Sequence, residues 1–284
     1  MTKARRMMEE QLSSVEMVVE LRDARVVRAS GNPDIETLCR RKKRLLVLNK
    51  SDLADERETK RWAERFRAQG IETVTFNALK KNEAAKITDA MRRLMEERIK
   101  KDAARGMTPM IRAMIAGIPN VGKSTLINCL AKKALTKTAN KPGVTRGKQW
   151  LTIDESVRVL DTPGILWPRF EDARTGEHLA MIGSLNDVNL DLESLAVSLI
   201  RRLEILYPGA MPAFFEYAEE EVQEIAEEET GGLREAAVLY LIARRRGALR
   251  KGARPDYEKA SSILLTEFRG GRLGRITLEK AEEQ

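Results

Sequence analysis

A single histidine and two cysteines in 284 residues remove several kinds of chemistry at the outset. Cys39 and Cys129 each fall inside a helical pattern, so neither a disulfide framework nor a four-ligand zinc site can be assembled from them. A reducing compartment suits such a chain, and the cytoplasm is its expected location. Long hydrophobic runs are also missing: no stretch approaches the ~18 apolar residues of a membrane-spanning helix. The opening "MTKARRMMEEQL" has basic residues but no apolar segment behind them, so no export signal is visible. Internal repeats and low-complexity tracts are absent too.

What is present describes a globular protein. Hydrophobic residues make up 42% and charged residues 33%, enough for a core. The length exceeds the ~100–150 residues most common for one domain, which favours two domains. Lys and Arg outnumber Asp and Glu by 51 to 43, giving a net charge of +8. That balance favours polyanionic partners, RNA first and an anionic membrane surface second.

Up to about residue 165 short apolar runs alternate with amphipathic stretches, the pattern of a doubly wound, mostly parallel α/β sheet. Strands are expected at 15–23, 44–50, 71–77, 110–118 and 156–162, and helices at 55–69, 83–104 and from Lys123. From about His178 onward the periodicity is helical throughout, in 191–207, 216–229, 232–249 and 256–271. The expected division is therefore an α/β domain over 1–177 and an all-α domain over 178–284.

The chemistry concentrates at the ends of the expected strands. "GIPNVGKS", Gly117 to Ser124, follows a strand and opens a helix, the setting of a phosphate-binding loop. Its glycines permit a turn whose backbone N–H groups face phosphate, the helix N-terminus adds positive potential, Lys123 reaches the outer phosphates, and Ser124 can ligate magnesium. "VLDTPG" ends another strand, placing Asp161 to hold magnesium through water and Gly164 to touch a γ-phosphate. "KPGVTR" lies between the two, where a mobile segment carrying Thr145 could close over magnesium and the γ-phosphate.

"NKSD", Asn49 to Asp52, supplies the base specificity. An aspartate at a strand end can accept from guanine's ring N–H and exocyclic amine, whereas adenine would leave that carboxylate unpaired. Asn49 can bond the other edge of the base and brace the phosphate loop, and the Lys50 stem can cover the ring. One strand later "FNALK" can offer the Ala78 N–H to the guanine carbonyl, with Asn77 supporting the turn. The order is unusual, because base recognition comes before the phosphate loop. Ligands in an open parallel sheet bind at the strands' carboxyl ends, so a circular permutation leaves the site intact. The permutation does alter connectivity: the γ-phosphate-sensing "DTPG" segment now runs into the helical domain.

"KARR", "DAR" (23–25), "NKSD", "GIPNVGKSTLIN", "KPGVTR" followed by "QW", and "DTPGILWP", in that order, resemble the circularly permuted GTPases that assist late assembly of the bacterial large ribosomal subunit, the ribosome biogenesis GTPase A family. The resemblance runs nearly end to end. It implies that Asn49, Lys50, Ser51 and Asp52 face guanine with Asn77 and Ala78 beside them. It also implies that Asn120, Val121, Gly122, Lys123, Ser124 and Thr125 wrap the phosphates of GTP or GDP, and that Gly164 meets the γ-phosphate. Asn120 resembles the asparagine that holds potassium in some GTPases, with a purely structural loop role as the alternative. The helical domain is implied to contact ribosomal RNA, and Arg244, Arg245, Arg246, Arg250, Lys251 and Arg254 are the basic run suited to phosphate, the other reading being a solvated helix end.

The implied function is a GTP-hydrolysing switch that binds large-subunit precursors in the GTP state and leaves after hydrolysis. A monomer, slow alone and stimulated by the ribosome, is the expected form. The alternative is a nucleotide-responsive RNA-binding placeholder with little hydrolysis, since Ile165 follows Gly164 where many GTPases carry a water-orienting glutamine. In the resembled family a histidine upstream of "KARR" serves that purpose, and this chain begins at Met1, so either a start site further upstream, the favoured expectation, or reliance on the ribosome for catalysis follows. His178 matches no catalytic position and is expected to be structural or exposed.

Overall fold

The computed structural model describes residues 9–40, 42–80, 82–137, 150–162 and 172–282. Six strands, β1 (Met17–Asp23), β2 (Lys43–Asn49), β3 (Glu72–Thr75), β4 (Ile111–Gly117), β5 (Trp150–Asp154) and β6 (Val157–Asp161), form one sheet in the order β3-β2-β1-β4-β6-β5. All neighbours pair in parallel except β5, which runs antiparallel to β6 at the edge. The central strands are the apolar runs expected of a sheet covered on both faces, and every residue of β1 is buried. Strand β5 was not expected from the sequence, because edge residues stay half-exposed and need no continuous apolar run.

Polar residues buried in β1 are paired. Arg22 Nε donates to Glu20 Oε1 at 2.7 Å, while Arg44 Nε stands 2.7 Å from Glu20 Oε2 as an ion pair without hydrogen-bond alignment. Cys39 is buried close by, and burial pushes its thiol up to about 12, which makes it inert.

Crossover helices α1 (Pro33–Leu38), α2 (Glu56–Ala68), α3 (Glu83–Leu94), α4 (Glu96–Ala104) and α5 (Lys123–Lys137) complete this part. The Asp55 carboxylate caps α2 by accepting from the Arg57 and Glu58 amides. The single helix expected over 83–104 is two. Met95 leaves helical geometry at φ −105° and ψ 10°, and the buried stripe of α3, which includes Ile87 and Met91, has no continuation in α4.

The chain divides into two compact units, 1–170 with 279–284, and 171–278. The second is helical as expected: α6 (Ala173–Met181), a 3₁₀ turn (Asp187–Asn189), α7 (Leu192–Leu206), α8 (Ala210–Phe215), α9 (Glu219–Glu228), α10 (Arg234–Arg246) and α11 (Tyr257–Arg269). Leu195, Leu199 and Leu203 of α7, Val238 and Ile242 of α10, and Leu264 and Phe268 of α11 form buried stripes at helical spacing. His178 is buried in α6. From Glu279 the chain groups with the sheet-bearing unit, whereas the sequence pattern places it in the second, helical domain. Among the described residues no helix is long and apolar enough to cross a membrane.

Candidate functional site

Strands β1, β2, β4 and β6 all end at one edge of the sheet, and the residues there interlock. β4 ends at Gly117 and α5 starts at Lys123, so residues 118–122 form a tight loop between strand and helix. Two of its residues need a backbone that most side chains resist: Asn120 sits at φ 57° and Gly122 at φ 102°. Gly122 is also required by crowding, since a Cβ there would lie 2.2 Å from Asn49 Nδ2.

That crowding records how closely the two motifs meet. Asn49 Nδ2 donates to the Val121 carbonyl at 2.6 Å and Lys50 Nζ donates to the Asn120 carbonyl at 3.0 Å, across some seventy residues of sequence. The bracing role assigned to Asn49 from sequence is therefore present, and Lys50 shares it. Ser51 anchors the next strand's end, its N–H and hydroxyl both donating to the Phe76 carbonyl. Asn77 Oδ1 accepts from the Leu79 N–H at 2.8 Å and organises the turn that holds half-buried Ala78. Asp52, in the turn that follows β2, is half-buried.

The "DAR" motif carries no task that its sequence alone assigns. Asp23, fully buried at the end of β1, stands in register with Asn49 and accepts from the Arg25 N–H, Nε and Nη2 at 2.9–3.0 Å. Its other neighbour is Lys50 Nζ at 3.0 Å. Burial opposes the Asp23 charge, but Arg25 and Lys50 outweigh it and hold the carboxyl well below the usual range. The available signal was an aspartate at the end of a central apolar strand, which needs cations nearby to be tolerated.

On the phosphate side, Lys123 is buried and its Nζ donates to the Gly117 and Ile118 carbonyls at 3.1 and 2.8 Å. Burial pushes its ammonium down to about 8, with Asp161 pulling the other way. The half-buried Asp161 carboxyl is raised by burial, offset in part by Lys123. Ser124 and Thr125 are exposed at the start of α5. Thr162 ties β6 to β4 through a 2.6 Å bond to the Ile115 carbonyl. Thr145 and Gly164 lie outside the described residues.

In the second unit the basic run separates into two groups. Arg244 stacks on Tyr240, Arg245 pairs with Glu221 at 2.6 Å, and Arg246 lies over Phe214 and Phe215 while donating to the Phe214 carbonyl. All three are exposed yet engaged. Residues 248–256 form a small hairpin closed by the Leu249 and Pro255 bridge and by an Arg250 N–H to Arg254 carbonyl bond of 2.8 Å. Arg250 is tied to Asp256 at its base. Lys251 and Arg254 are exposed and, among the described residues, have no ion-pair partner.

Residues 112–245 match the model of the 50S ribosome-binding GTPases, and residues 37–170 that of the RsgA GTPases. The chain is 42% identical to ribosome biogenesis GTPase A of Bacillus cereus, covering all of this chain and 92% of that protein. It is 40% identical to ribosome biogenesis GTPase A of Bacillus licheniformis, over all of this chain and 96% of that protein. Its fold is similar to the GNP-bound YlqF of Thermotoga maritima, with a TM-score of 0.69 and 28% identity over the full length of both. Likeness of this extent, together with an "NKSD" segment that precedes "GIPNVGKS" in sequence and bonds to it in space, means that the chain belongs to the ribosome biogenesis GTPase A family and is a GTP-hydrolysing enzyme.

Proposed function

We propose that this protein is a GTP-controlled assembly factor for the large ribosomal subunit, binding precursor particles in its GTP state and leaving after hydrolysis. The observation that carries it is the double lock of Asn49 and Lys50 onto the Val121 and Asn120 carbonyls, which supports reading the two motifs as one nucleotide site. In this reading Asp52 accepts from guanine, the Ala78 N–H meets the base carbonyl, and Asn120 to Thr125 surround the phosphates. Thr145 and Gly164 respond to the γ-phosphate and pass its presence toward the helical unit. The relatives' names supply the ribosomal context, and a monomer acting in the cytoplasm fits it.

Magnesium suits the residues present. Asp161 is a half-buried carboxylate that feels the Lys123 charge, and Ser124 offers an exposed hydroxyl at a helix start. Among the described residues no cluster of three acidic, histidine or cysteine side chains could hold a metal unaided, and in this reading the ion shares its ligands with phosphates and water. Ser124 would bind it directly, with Thr145 completing the protein ligands and Asp161 acting through water. The ion would neutralise charge on the phosphates. Asn120 is the residue that would face potassium.

Ribosomal RNA is the proposed partner of the helical unit, through the basic run from Arg244 to Arg254. The test is co-sedimentation with large-subunit precursors at fixed salt, comparing a non-hydrolysable GTP analogue with GDP. More protein should pellet with the analogue. Equal amounts would remove the switch and leave only charge attraction.

A further inference from the structure

We propose that Glu279 is a positioning residue for guanine recognition, and that the last residues of the chain staple the base-binding loop from both of its flanks. The proposal is independent of the ribosomal reading and rests on the nucleotide site alone.

Glu279 is buried, and its carboxylate accepts from two backbone amides, Arg28 N–H at 2.6 Å and Ala29 N–H at 3.1 Å. A buried carboxylate is tolerated only when such charge-assisted bonds replace its water, so these two amides and Glu279 hold one another in place. Both belong to the turn that leaves β1. The turn is closed by Ser30, whose hydroxyl accepts from the Asp23 N–H at 3.0 Å and donates to the Val26 carbonyl at 2.6 Å. The turn thereby closes on Asp23, which holds Lys50, which in turn holds the Asn120 carbonyl of the phosphate loop. A continuous series of bonds thus runs from Glu279 to the loop around the phosphates.

The other flank of "NKSD" is held as well. Its chain continues through buried Ala54 into α2, and α2 supplies three contacts to the chain end. Trp62 Nε1 donates to the Glu279 carbonyl at 2.8 Å, the Ala281 N–H donates to Glu58 Oε2 at 3.1 Å, and Arg65 bonds the Ala281 carbonyl. Ala281 fills a place in the apolar cluster of Ala24, Leu48, Ala54 and Trp62. Residues 49–54 therefore lie between two segments that the chain end ties together. Leu278, one peptide bond before Glu279, is the last residue of the helical unit, where its carbonyl accepts from Arg202 at 2.6 and 2.9 Å.

The test is the rate at which the full-length protein releases a fluorescent GDP. Glu279→Ala should speed release on the order of tenfold, the effect of losing one well-made buried bonding group. Glu279→Gln, which keeps one strong acceptor oxygen, should fall between that variant and the wild type. The control Glu282→Ala, at an exposed residue 3.6 Å from exposed Arg61, should release GDP at the wild-type rate. If Glu279 acts through Asp23, Glu279→Ala should add little to the rate of Asp23→Asn in a double-mutant cycle. Lowered thermal stability with unchanged GDP release, or full additivity with Asp23→Asn, would overturn the proposal and leave the chain end a structural staple. Should Glu279→Ala not fold, Glu279→Gln reads the same outcome at smaller amplitude. A wild-type protein that failed to bind GDP would instead refute the site itself.

Discussion

At the scale of single residues, guanine preference is assigned to one carboxylate and its support to another. In the proposed site Asp52 is the group that would distinguish the two purines by hydrogen-bond sense. Asp52→Asn should weaken GTP binding by about a hundredfold and favour xanthine nucleotide, whose extra carbonyl can accept from the new amide. Isothermal titration with both nucleotides checks this, and unchanged GTP affinity would refute the assignment. Asp23 carries no such direct role, yet its burial beside Arg25 and Lys50 ties it to pH. Its folded carboxyl is held below the usual 3.8, so its stabilisation is complete above that value and is lost as pH falls from there toward the depressed folded value. Asp23→Asn leaves Arg25 and Lys50 without their shared counter-ion and should cost about 3 kcal/mol near neutrality. Urea unfolding from pH 7 to pH 3 should show the gap between variant and wild type narrowing below pH 4.

At the scale of elements, α10 and the hairpin after it share a basic run but use it differently. Arg246 lies over two aromatic rings and bonds a carbonyl of α8, an arrangement that fastens helices and keeps its planar group occupied. Arg246→Ala should therefore lower stability by about 1 kcal/mol in urea unfolding. Among the described residues the Lys251 and Arg254 side chains have no ion pair to hold them. Removing both should weaken RNA binding and flatten its dependence on salt by roughly one unit of slope per lost phosphate contact, with little change in melting temperature. Filter binding across a salt series separates the two groups. Identical slopes for the hairpin variant and the wild type would return Lys251 and Arg254 to an ordinary solvated surface.

At the scale of the whole molecule, the nucleotide and the helical unit should be separable by one substitution. Lys123 is the proposed phosphate ligand and has no place in the basic run. Lys123→Ala should abolish tight GTP binding and equalise precursor binding with and without nucleotide, while keeping the salt-dependent attraction of the helical unit. Co-sedimentation of this variant at two salt concentrations tests both halves together. Retention of the GTP effect would refute the phosphate-loop assignment.

The range of the forces involved separates what the chain discloses locally from what it does not. The sheet, the change to helices and the motif positions depend on local patterns, periods of two and 3.6 residues and the turn chemistry of glycine, so they are legible in the sequence. The edge strand β5 and the break at Met95 are not, because each reflects which side chains a neighbour happens to cover. The motif "NKSD" announces guanine through its own chemistry. Only the tertiary structure decided that Asp23 holds Lys50, that Arg246 is fastened while Lys251 is not, and that Glu279 lies against residues 28 and 29. Those pairings join groups distant in sequence, and nothing local to either partner specifies the other. They are chosen by whichever buried charge or amide would otherwise be left without a bond, a condition that exists only once the chain has folded.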